Sequence, residues 1–566
     1  MNKAWHLRDF DSKKADLLSA NLGISLTLSR VLLNRGISEM VEAERFLFHT
    51  LYDLHDPYLL KDMSLAVDRI KMAIVKGEKV MVLGDYDVDG ITSLALLYEF
   101  FRINNLDPIP YLPHRIDEGY GISDSAVSAA ISSKVDLFIS VDCGITAISE
   151  IEKLKNSGVD VIVIDHHRPK DNLHPPADAI IDPWQNDCSY PDKDLAAVGL
   201  VFKVLEAMLG IKDERLLGFL DLVCLGTVAD VASLKGENRI LIKEGLKILA
   251  ETERVGLKEL FNAASLSKDK VSVRNIAFVL GPRLNAAGRI DSAEDAFRLL
   301  ISKDKIEAEA LASKLEESNR RRREIEAEIL KESLRAVDQE VDFSKDNIVI
   351  VKGRDWHPGV LGIVASKLAD KYYRPSIVFS ESDILLKGSG RSIPDFNIFK
   401  AVSLCTDILE EFGGHAAACG ISLKRENWTK FKSKMFDLTQ EAFKEVSLVS
   451  KIELDGELDF GQMNDSFFKD LELLEPFGTE NSEPLFLTSS VKVVSSIRPL
   501  ARNFYKFWVR KGDFSQQVLY KDKDGDNLPK VGELIDIAYI PSVGIWKGVK
   551  SVTLFLEDFR LSKDDA

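Results

Sequence analysis

The chain is poor in cysteine. Its five cysteines include no CxxC pair, and they are Cys143, Cys188, Cys224, Cys405 and Cys419. A zinc site built on cysteine pairs is therefore not expected. So low a cysteine content is typical of proteins from a reducing compartment, and it predicts a cytoplasmic location.

The sequence also lacks long apolar runs. No stretch of about 18 apolar residues occurs, so we expect no membrane span. Residues 1–10 lack the apolar core of a signal peptide. Positive charge is scarce too: the net charge is −16. This balance disfavours nucleic-acid binding through bulk charge, and allows it only if basic residues cluster on one face.

The chain is long enough for several hydrophobic cores. Its 566 residues are 45% hydrophobic and 29% charged, which is typical of a globular protein of three or four domains. We predict an α/β multidomain protein with a parallel-sheet domain, a long connecting helix, a second α/β domain and a C-terminal β-barrel. The predicted boundaries are 1–60 (helical), 61–302, 303–342, 343–448 and 449–566.

One stretch, Val80–Gly90, organises the first α/β domain. An apolar run that predicts a buried strand ends in three aspartates at alternate positions, Asp85, Asp87 and Asp89, and Gly90 then leads into an apolar helix. In open α/β sheets, ligands bind beyond the carboxyl ends of the strands. Three crowded carboxylates there favour a cation, although a solvated acidic turn is the alternative.

Two further strand ends carry polar residues of the same kind. The predicted strands are 79–84, 135–141, 159–164 and 179–181, with helices between them, which indicates a parallel sheet. Asp142 ends the second strand, and Asp165, His166 and His167 end the third. Because these ends share one edge of the sheet, their carboxylates and imidazoles converge into a candidate metal site. The alternative is an acidic edge that binds no ion.

Asp230 is a lone charge in the apolar segment 222–234. A buried unpaired carboxylate is costly, so we expect it to join the metal cluster. The alternative is a helix-capping or solvent-facing aspartate. The next segment, 281–289, is either a plain turn followed by a helix or a site that presents Asn285 and Arg289 to a phosphate.

The second α/β unit offers a second phosphate-binding pattern. It follows a charged connecting helix at 303–340, and glycines flank Ser389, Arg391 and His415. Glycine allows the backbone to approach a phosphate closely. A turn with a structural histidine is the alternative for His415.

From about residue 450 onward the sequence predicts short strands. Five or six of them in about 115 residues are typical of a small barrel such as an OB-fold. Aromatic residues alternate with basic ones near residue 505, which is the composition that single-strand stacking requires. Half of these aromatics must be core, given the strand period of two. The candidates for nucleic-acid contact are Arg502, Tyr505, Lys506 and Trp508.

Together these motifs resemble a known family. The segments 84–90, 141–144, 165–167 and 226–230 resemble the four motifs of the DHH phosphoesterase superfamily, and 388–392 with 413–415 resemble the DHHA1 domain. The order of the DHH domain, long helix, DHHA1 domain and OB-fold resembles the RecJ-type single-strand-specific exonucleases. The resemblance covers nearly the whole chain beyond residue 50.

The resemblance implies a two-metal 5′-to-3′ exonuclease that releases 5′-mononucleotides from single-stranded DNA and acts in recombination and repair. Two divalent cations, Mn²⁺ or Mg²⁺, would be bound by Asp85, Asp87, Asp142, His166 and Asp230, with Asp142 as the bridge. Asp89, Asp165 and His167 would support these ligands or contact the phosphate. Asn285, Arg289, Ser389, Arg391 and His415 would hold the substrate.

Other interpretations stay open. The same metal core could serve a phosphodiesterase of short oligonucleotides or cyclic dinucleotides, although such a substrate has no use for the C-terminal barrel. A catalytically silent DNA-binding scaffold would lack metal ligands, whereas this set is complete. The acidic charge allows a substrate such as pyrophosphate. The expected partner is the 5′ end of single-stranded DNA, with a single-strand-binding protein or a helicase as further candidates, for a monomeric protein.

Overall fold

The structure, a computed structural model, describes residues 3–115, 117–290, 292–444, 448–522, 527–546 and 549–562. For residues 171, 269, 545, 546 and 549 it describes the backbone alone. Across these ranges no helix combines the length and apolar character that a membrane span requires.

The N-terminal segment contains one strand and three helices, β1 (Ala4–Leu7), α1 (Ser12–Leu22), α2 (Leu26–Asn34) and α3 (Met40–Phe48). Asp11 caps α1 and Ser25 caps α2, each with a side-chain oxygen that accepts backbone N–H groups. The sequence predicted helix alone, and β1 was missed because its pairing partner, Lys451–Leu454, lies almost 450 residues away. A strand of four residues carries too little local signal of its own.

The first α/β domain is built on a five-stranded sheet with the order β3-β2-β4-β5-β6, in which every pairing is parallel. The four predicted strands are present, and β3 is an addition at the edge. The strands are β2 (Val80–Gly84), β3 (Ile109–Tyr111), β4 (Leu137–Val141), β5 (Asp160–Ile164) and β6 (Ala179–Ile181).

Helices cover both faces of this sheet. Alternate strand residues point to opposite sides: Val82 and Ile139 join one core cluster, whereas Leu83 and Phe138 join the other. The helices are α4 (Met63–Lys76), α5 (Val88–Ile103), α6 (Asp124–Ser132), α7 (Ile148–Asn156), α8 (Ala197–Leu209), α9 (Glu214–Gly218), α10 (Leu220–Ala229), α11 (Gly236–Ala250), α12 (Val255–Ala263), α13 (Val273–Asn275), α14 (Gly281–Ile290) and α15 (Glu294–Ile301). A π-helical turn, Ile276–Leu280, joins α13 to α14.

The connecting helix α16 (Lys305–Glu340) has 36 residues and is capped by Asp304. It leads into a mixed sheet of order β10-β11-β9-β8-β7. This domain comprises β7 (Val349–Arg354), α17 (Pro358–Tyr372), β8 (Ser376–Glu381), β9 (Leu385–Arg391), α18 (Ile398–Ser403), β10 (Glu411–His415), β11 (Ala418–Lys424) and α19 (Trp428–Ala442).

The C-terminal domain is a barrel. Its elements are β12 (Lys451–Leu454), β13 (Gly456–Glu457), α20 (Asp465–Leu474), β14 (Phe486–Val493), β15 (Arg498–Pro499), β16 (Phe504–Lys511), β17 (Phe514–Lys521), β18 (Leu534–Trp546) and β19 (Val549–Leu561). The order β14-β18-β19-β17-β16 closes on itself because β14 also pairs with β16. Five strands in this closed order confirm the predicted OB-fold.

The N-terminal helices share their hydrophobic core with this barrel. Leu28, Val31 and Leu32 of α2 lie fully buried in one cluster with Phe467 of α20 and Phe486 of β14. The two ends of the chain therefore form one structural unit.

We expect deletion of residues 450–566 alone to unfold α1–α3, because it removes the partner of their apolar faces. Hydrogen exchange should show lost amide protection in residues 12–48 of the truncated protein. Deletion of residues 1–50 together with 450–566 is the matched control, and it should stay soluble. Full amide protection of α2 in the singly truncated protein would contradict the shared core.

Candidate metal centre

The first acidic loop is shaped by two glycines. A Cβ on Gly90 would lie 2.4 Å from the backbone oxygen of Asp85, and one on Gly84 would lie 2.6 Å from the oxygen of Gly90. Only glycine permits so close a turn from β2 into α5. Asp87 caps α5, since its Oδ1 accepts N–H groups from Asp89 and Gly90 at 3.0 and 3.2 Å. The other oxygen of Asp87 has no part in the cap.

Asp142, at the end of β4, has a left-handed backbone with φ of 62°. Its N–H donates to Ile164, and its carbonyl accepts the Tyr120 hydroxyl at 3.0 Å. A non-glycine residue in this region is held there by its surroundings, and such residues gather at functional sites. The side chain is 3% exposed.

Asp165 orients the histidine pair rather than offering a free oxygen. One oxygen accepts the N–H groups of His166 and His167 and lies 2.8 Å from His167 Nδ1, while the other accepts the N–H of Ile145. Burial raises the pKa of Asp165, but the His167 hydrogen bond and charge outweigh it, so the pKa is lowered. His166 stays turned toward the carboxylates, with Nε2 at 3.2 Å from Asp142 Oδ1.

Asp89 has a similar supporting geometry. It is fully buried, and its two oxygens accept the N–H groups of Ala197 and Val198 in the first turn of α8, at 2.8 and 2.9 Å. Burial and the nearby Asp87 raise its pKa to about 7 despite these bonds. Asp89 therefore fixes α8 against the acidic loop.

Asp230 ends α10 beside a strained residue. Val231 follows it with φ of 64° at the position where helix ends favour glycine. A β-branched residue pays a steric cost in this conformation. His166 Nδ1 lies 4.0 Å from Asp230 Oδ2, so Asp230 reaches the same centre from a different helix.

The predicted ligands converge. Three groups of side chains each bring one ligand atom apiece within 4.8 Å of one another: Asp85 with Asp87 and Asp142, Asp89 with His166 and Asp230, and Asp142 with His166 and His167. Asp142 and His166 each belong to two groups, and the two oxygens of the Asp142 carboxylate would allow it to bind two neighbouring cations.

Unsatisfied atoms support the fit to cations. Among the described residues, Asp85 Oδ1 and His166 Nε2 are buried and make no hydrogen bond, since the 3.2 Å contact of His166 Nε2 with Asp142 lacks hydrogen-bond geometry. Buried polar atoms are normally paired, so each such atom in a native site needs an explanation. Carboxylate oxygens with one imidazole form a donor set that suits Mn²⁺ and tolerates Mg²⁺.

The pKa shifts of the site residues also favour bound cations. Burial and neighbouring carboxylates raise the pKa of Asp142 and Asp85 well above the ordinary range, and raise the pKa of Asp230 to about 9. Burial lowers the pKa of His166 to about 4, which keeps its imidazole neutral and able to donate a lone pair. Bound cations would relieve the carboxylate repulsion.

His167 differs from His166. Burial lowers its pKa, but the Asp165 hydrogen bond and charge prevail and raise the pKa to about 9. Its ring lies beside the Tyr120 hydroxyl, 3.1 Å from Nδ1. A protonated His167 can face a phosphate oxygen.

Cationic side chains face the metal centre from the domain of β7–β11. Arg391 donates to Gly390 and lies 3.4 Å from Ser389 Oγ. A Cβ on Gly362 of α17 would lie 3.0 Å from both side chains, so that glycine leaves room for them. Arg289 on α14 crosses the domain boundary and donates to the carbonyl of Gly359 at 3.1 Å.

These guanidinium groups crowd one another. Burial lowers the pKa of Arg289 to about 10, and the charges of Arg115, Arg322 and Arg391 act in the same direction. Burial and the charge of Arg115 likewise lower the pKa of Arg391. Guanidinium groups that lower one another's pKa mark a region of excess positive charge, and such a region favours an anion.

Asn285 and His415 lie at the edges of this region. Asn285 Oδ1 accepts the N–H of Val88 at 3.2 Å, so it braces the acidic loop. His415 is exposed, its Nδ1 accepts the N–H of Ala417 at 3.3 Å, and burial together with Arg391 and His167 lowers its pKa. The segment 281–289, for which a turn followed by a helix was one prediction, is helical throughout and belongs to α14.

Three residues of the site escaped sequence reasoning. Arg115, whose Cζ lies 5.0 Å from the Tyr86 ring centroid, opposes the raised pKa of Asp85. Tyr120 holds Asp142 and His167. Asp182 ends β6 with one buried oxygen unpaired. Asp182 follows a predicted strand and could have been found by the rule that found Asp142, whereas no motif marks the other two.

The predicted nucleic-acid contacts lie in the barrel and not at the metal centre. Trp508 is 42% exposed on β16, whereas its neighbour Phe507 is buried in the barrel core. Tyr505 and Lys506 are half-buried, and Arg502 is exposed. Burial alternates with the strand period from Phe507 to Arg510, whereas Phe504, Tyr505 and Lys506 are all half-buried.

We expect Gly226→Ala to destabilise the first domain. A Cβ there would lie 2.3 Å from Thr92 Oγ1 and 3.1 Å from Asp89 Oδ1, because α10 crosses α5 in direct contact. Overpacking of this kind costs about 1–3 kcal/mol of unfolding free energy. Thermal unfolding should show it, with Gly218→Ala, where nothing lies within 4 Å, as control. Equal melting temperatures would contradict the contact.

Three segments match known families. Residues 79–227 match the DHH family N-terminal domain, residues 345–441 the DHHA1 domain, and residues 454–558 the RecJ OB domain.

Several known proteins are similar over most of the chain. The single-stranded-DNA-specific exonuclease RecJ of Bacillus subtilis is 35% identical over 99% of this chain and 71% of that protein. The protein of the same name from Escherichia coli is 36% identical over 81% of this chain and 82% of that protein. The crystal structure of Thermus thermophilus RecJ in complex with Mn²⁺ superposes with a TM-score of 0.83 at 28% identity, over 99% of this chain and 80% of that one.

Proposed function

This chain belongs to the RecJ family of single-stranded-DNA-specific exonucleases, and from that premise we propose that it is a two-metal-ion exonuclease acting on single-stranded DNA. The observation that carries the proposal is the convergence of Asp85, Asp87, Asp142, His166 and Asp230. The strand would be shortened from its 5′ end, with release of 5′-mononucleotides.

Divalent cations supply the central chemistry: when bound, two of them neutralise the phosphodiester charge, activate a water molecule and stabilise the leaving oxygen. The side chains of the site are arranged to bind these cations. Asp85, Asp87, Asp142 and Asp230 present carboxylate oxygens and His166 a neutral imidazole. Asp165 orients the two histidines and Asp89 fixes the start of α8. These hydrogen bonds from buried carboxylates hold the ligand side chains in position.

The guanidinium groups that face the centre supply substrate binding. Arg391, Ser389 and Arg289 form a region that suits the terminal 5′-phosphate, which carries more charge than an internal phosphodiester. Arg115 extends it from the first domain, and protonated His167 adds a donor next to the metal ligands. Recognition of that terminus would set the 5′-to-3′ direction.

The barrel supplies affinity for longer strands. Trp508 projects from β16 beside basic residues, and base stacking on exposed aromatics depends little on sequence. This feature favours long single strands over the rival substrates, which are dinucleotides or short oligonucleotides. The metal ligands of such a phosphodiesterase would be the same, so the substrate length is the discriminating property.

The test is a digest of 5′-labelled single-stranded and double-stranded DNA with Mn²⁺, Mg²⁺ or chelator. We expect labelled mononucleotide from the single strand only, and only with a metal ion present. A cyclic dinucleotide and a linear dinucleotide serve as comparison substrates. Faster turnover of the dinucleotides than of long strands would replace the proposal with the phosphodiesterase function.

We expect the protein to be a cytoplasmic monomer. It would act in DNA recombination and repair, where single strands with free 5′ ends arise. A single-strand-binding protein or a helicase would supply such strands. Size-exclusion chromatography with light scattering tests the monomer, and digestion of strands coated with binding protein tests the partner.

A further inference from the structure

A cleft of about 950 Å³ runs between the first domain and the connecting helix, and it adjoins the metal centre through Ala229 and Asn285. Its walls come from the π-helical turn, α14, the second half of α16 and α17. Ala229, which precedes Asp230, and Asn285, which braces the acidic loop, lie at its inner end. Arg289 lines both the cleft and the proposed terminal-phosphate region.

The charge of this cleft opposes that of the protein. The chain carries −16 overall, yet the cleft is lined by seven cationic side chains and two carboxylates. The cations are Arg283, Arg289, Arg322, Arg323, Lys331, Arg335 and Lys367. This is the clustering of basic residues on one face that an acidic protein needs for binding nucleic acid.

Several of these cations already have carboxylate partners. Glu326 pairs with Arg322 at 2.6 Å and also with Lys367, and Glu316, just outside the cleft, pairs with Arg283. Lys331 and Arg335 differ: within the described ranges neither has an ion pair or hydrogen bond. They are four residues apart on one face of α16, which sets their Cβ atoms about 5–6 Å apart. That is the scale of neighbouring phosphates on a single strand.

Phe278 is the aromatic residue of the cleft. It lies on the π-helical turn Ile276–Leu280, and its side chain is 77% exposed although the turn itself packs on α10. Turns of π type occur frequently at functional sites. A rigidly mounted, exposed aromatic ring beside unpaired cations is the combination that stacks a base and neutralises its phosphates.

We propose that this cleft is a nucleotide subsite in which Phe278 stacks on a base while Lys331 and Arg335 hold adjacent phosphates. The inference rests on the proposed function and deepens it. The nucleotide comes either from the strand on the 3′ side of the scissile bond or from the released 5′-mononucleotide. Both carry a base and a phosphate, so both fit the same groups.

The first experiment measures binding of a 5′-phosphorylated, 3′-fluorescent oligothymidylate to the full chain in chelator, where no hydrolysis occurs. We expect Phe278→Ala to raise Kd about tenfold, the scale of one lost stacking contact, and Phe278→Trp to restore it. Phe48→Ala, at another exposed phenylalanine, is the matched control and should leave Kd unchanged.

The second variant tests the charges. Lys331→Glu with Arg335→Glu should weaken binding and reduce the slope of log K against log salt by about two, because two phosphate contacts are lost. Lys71→Glu with Lys212→Glu changes the net charge equally outside the cleft, and should keep the wild-type slope.

Photocrosslinking distinguishes the two sources. Strands with 5-iodouracil at successive positions should crosslink to the segment 276–282 at one position near the 5′ end if the strand occupies the cleft. Protection of that segment from hydrogen exchange by thymidine 5′-monophosphate, without such a crosslink, assigns the cleft to the product.

The outcome that overturns the inference is wild-type Kd and salt slope in both cleft variants, with no crosslink and no protection at 276–282. If all four of these readouts are negative while the wild-type protein digests single strands, the cleft inference alone fails. If the wild-type protein neither binds nor digests single strands, the proposed function fails as well.

Discussion

Asp142→Ala is expected to abolish metal binding and to lower the single-turnover rate of strand hydrolysis by more than about a thousandfold. Asp142 belongs to two of the three ligand groups, so its removal weakens both cation positions at once. The fold should survive. The pKa of Asp142 is raised by burial and by four neighbouring aspartates, so its charge opposes folding when no cation is bound.

Two measurements separate the metal effect from unfolding. In chelator, the free energy of unfolding of the variant should fall below that of the wild type by no more than the cost of alanine in a left-handed conformation, about 1–2 kcal/mol. Asp142→Asn is the control, because asparagine tolerates φ of 62°. Calorimetric titration with Mn²⁺ should show lost binding in both variants. Wild-type affinity for two ions in Asp142→Ala would contradict the ligand assignment.

Arg391→Ala is expected to slow digestion of 5′-phosphorylated strands roughly a hundredfold at limiting substrate, which corresponds to the loss of about 2–3 kcal/mol of charged contact. Arg391 stands beside Ser389 and among the other guanidinium groups, and it contacts no predicted metal ligand. Binding of Mn²⁺ should therefore stay close to wild type.

The measurement is single-turnover cleavage of matched strands with 5′-phosphate and 5′-hydroxyl ends. The wild-type protein should prefer the phosphate, and the variant should lose that preference. Arg354→Ala removes an exposed arginine of the same domain and should change neither rate. A variant that keeps the wild-type preference places the terminal-phosphate contact elsewhere.

Much of the fold was predictable because its signals are local. The four predicted parallel strands are short, mainly apolar runs. The long connecting helix follows from its charge pattern, and the closed barrel follows from the strand spacing. The carboxylates of Asp85, Asp142 and Asp165 could be placed at one edge because each residue directly follows such a strand. The roles of these residues could not be predicted, because the hydrogen bonds that occupy the oxygens of Asp165 and Asp89 involve backbone groups distant in sequence.

What escaped prediction depends on contacts between distant segments. Arg115 has no motif of its own and becomes part of the site only because its loop folds over Tyr86. The cleft forms only where four elements meet, namely the π-helical turn, α14, α16 and α17. Phe278 in particular would be assigned to the core by its apolar flanks, and its exposure becomes evident only once the π-helical turn is known.

The shared core of α1–α3 and the barrel has a consequence for biosynthesis. Residues 1–50 leave the ribosome long before their β-pairing partner, β12, and the barrel, which follow more than 400 residues later in the chain. At about 5–20 residues per second, the apolar face of α2 waits roughly 20–90 s for its partner. During that interval Leu28, Val31 and Leu32 are available to chaperones, and premature termination anywhere before the barrel leaves a product whose first helices never become buried.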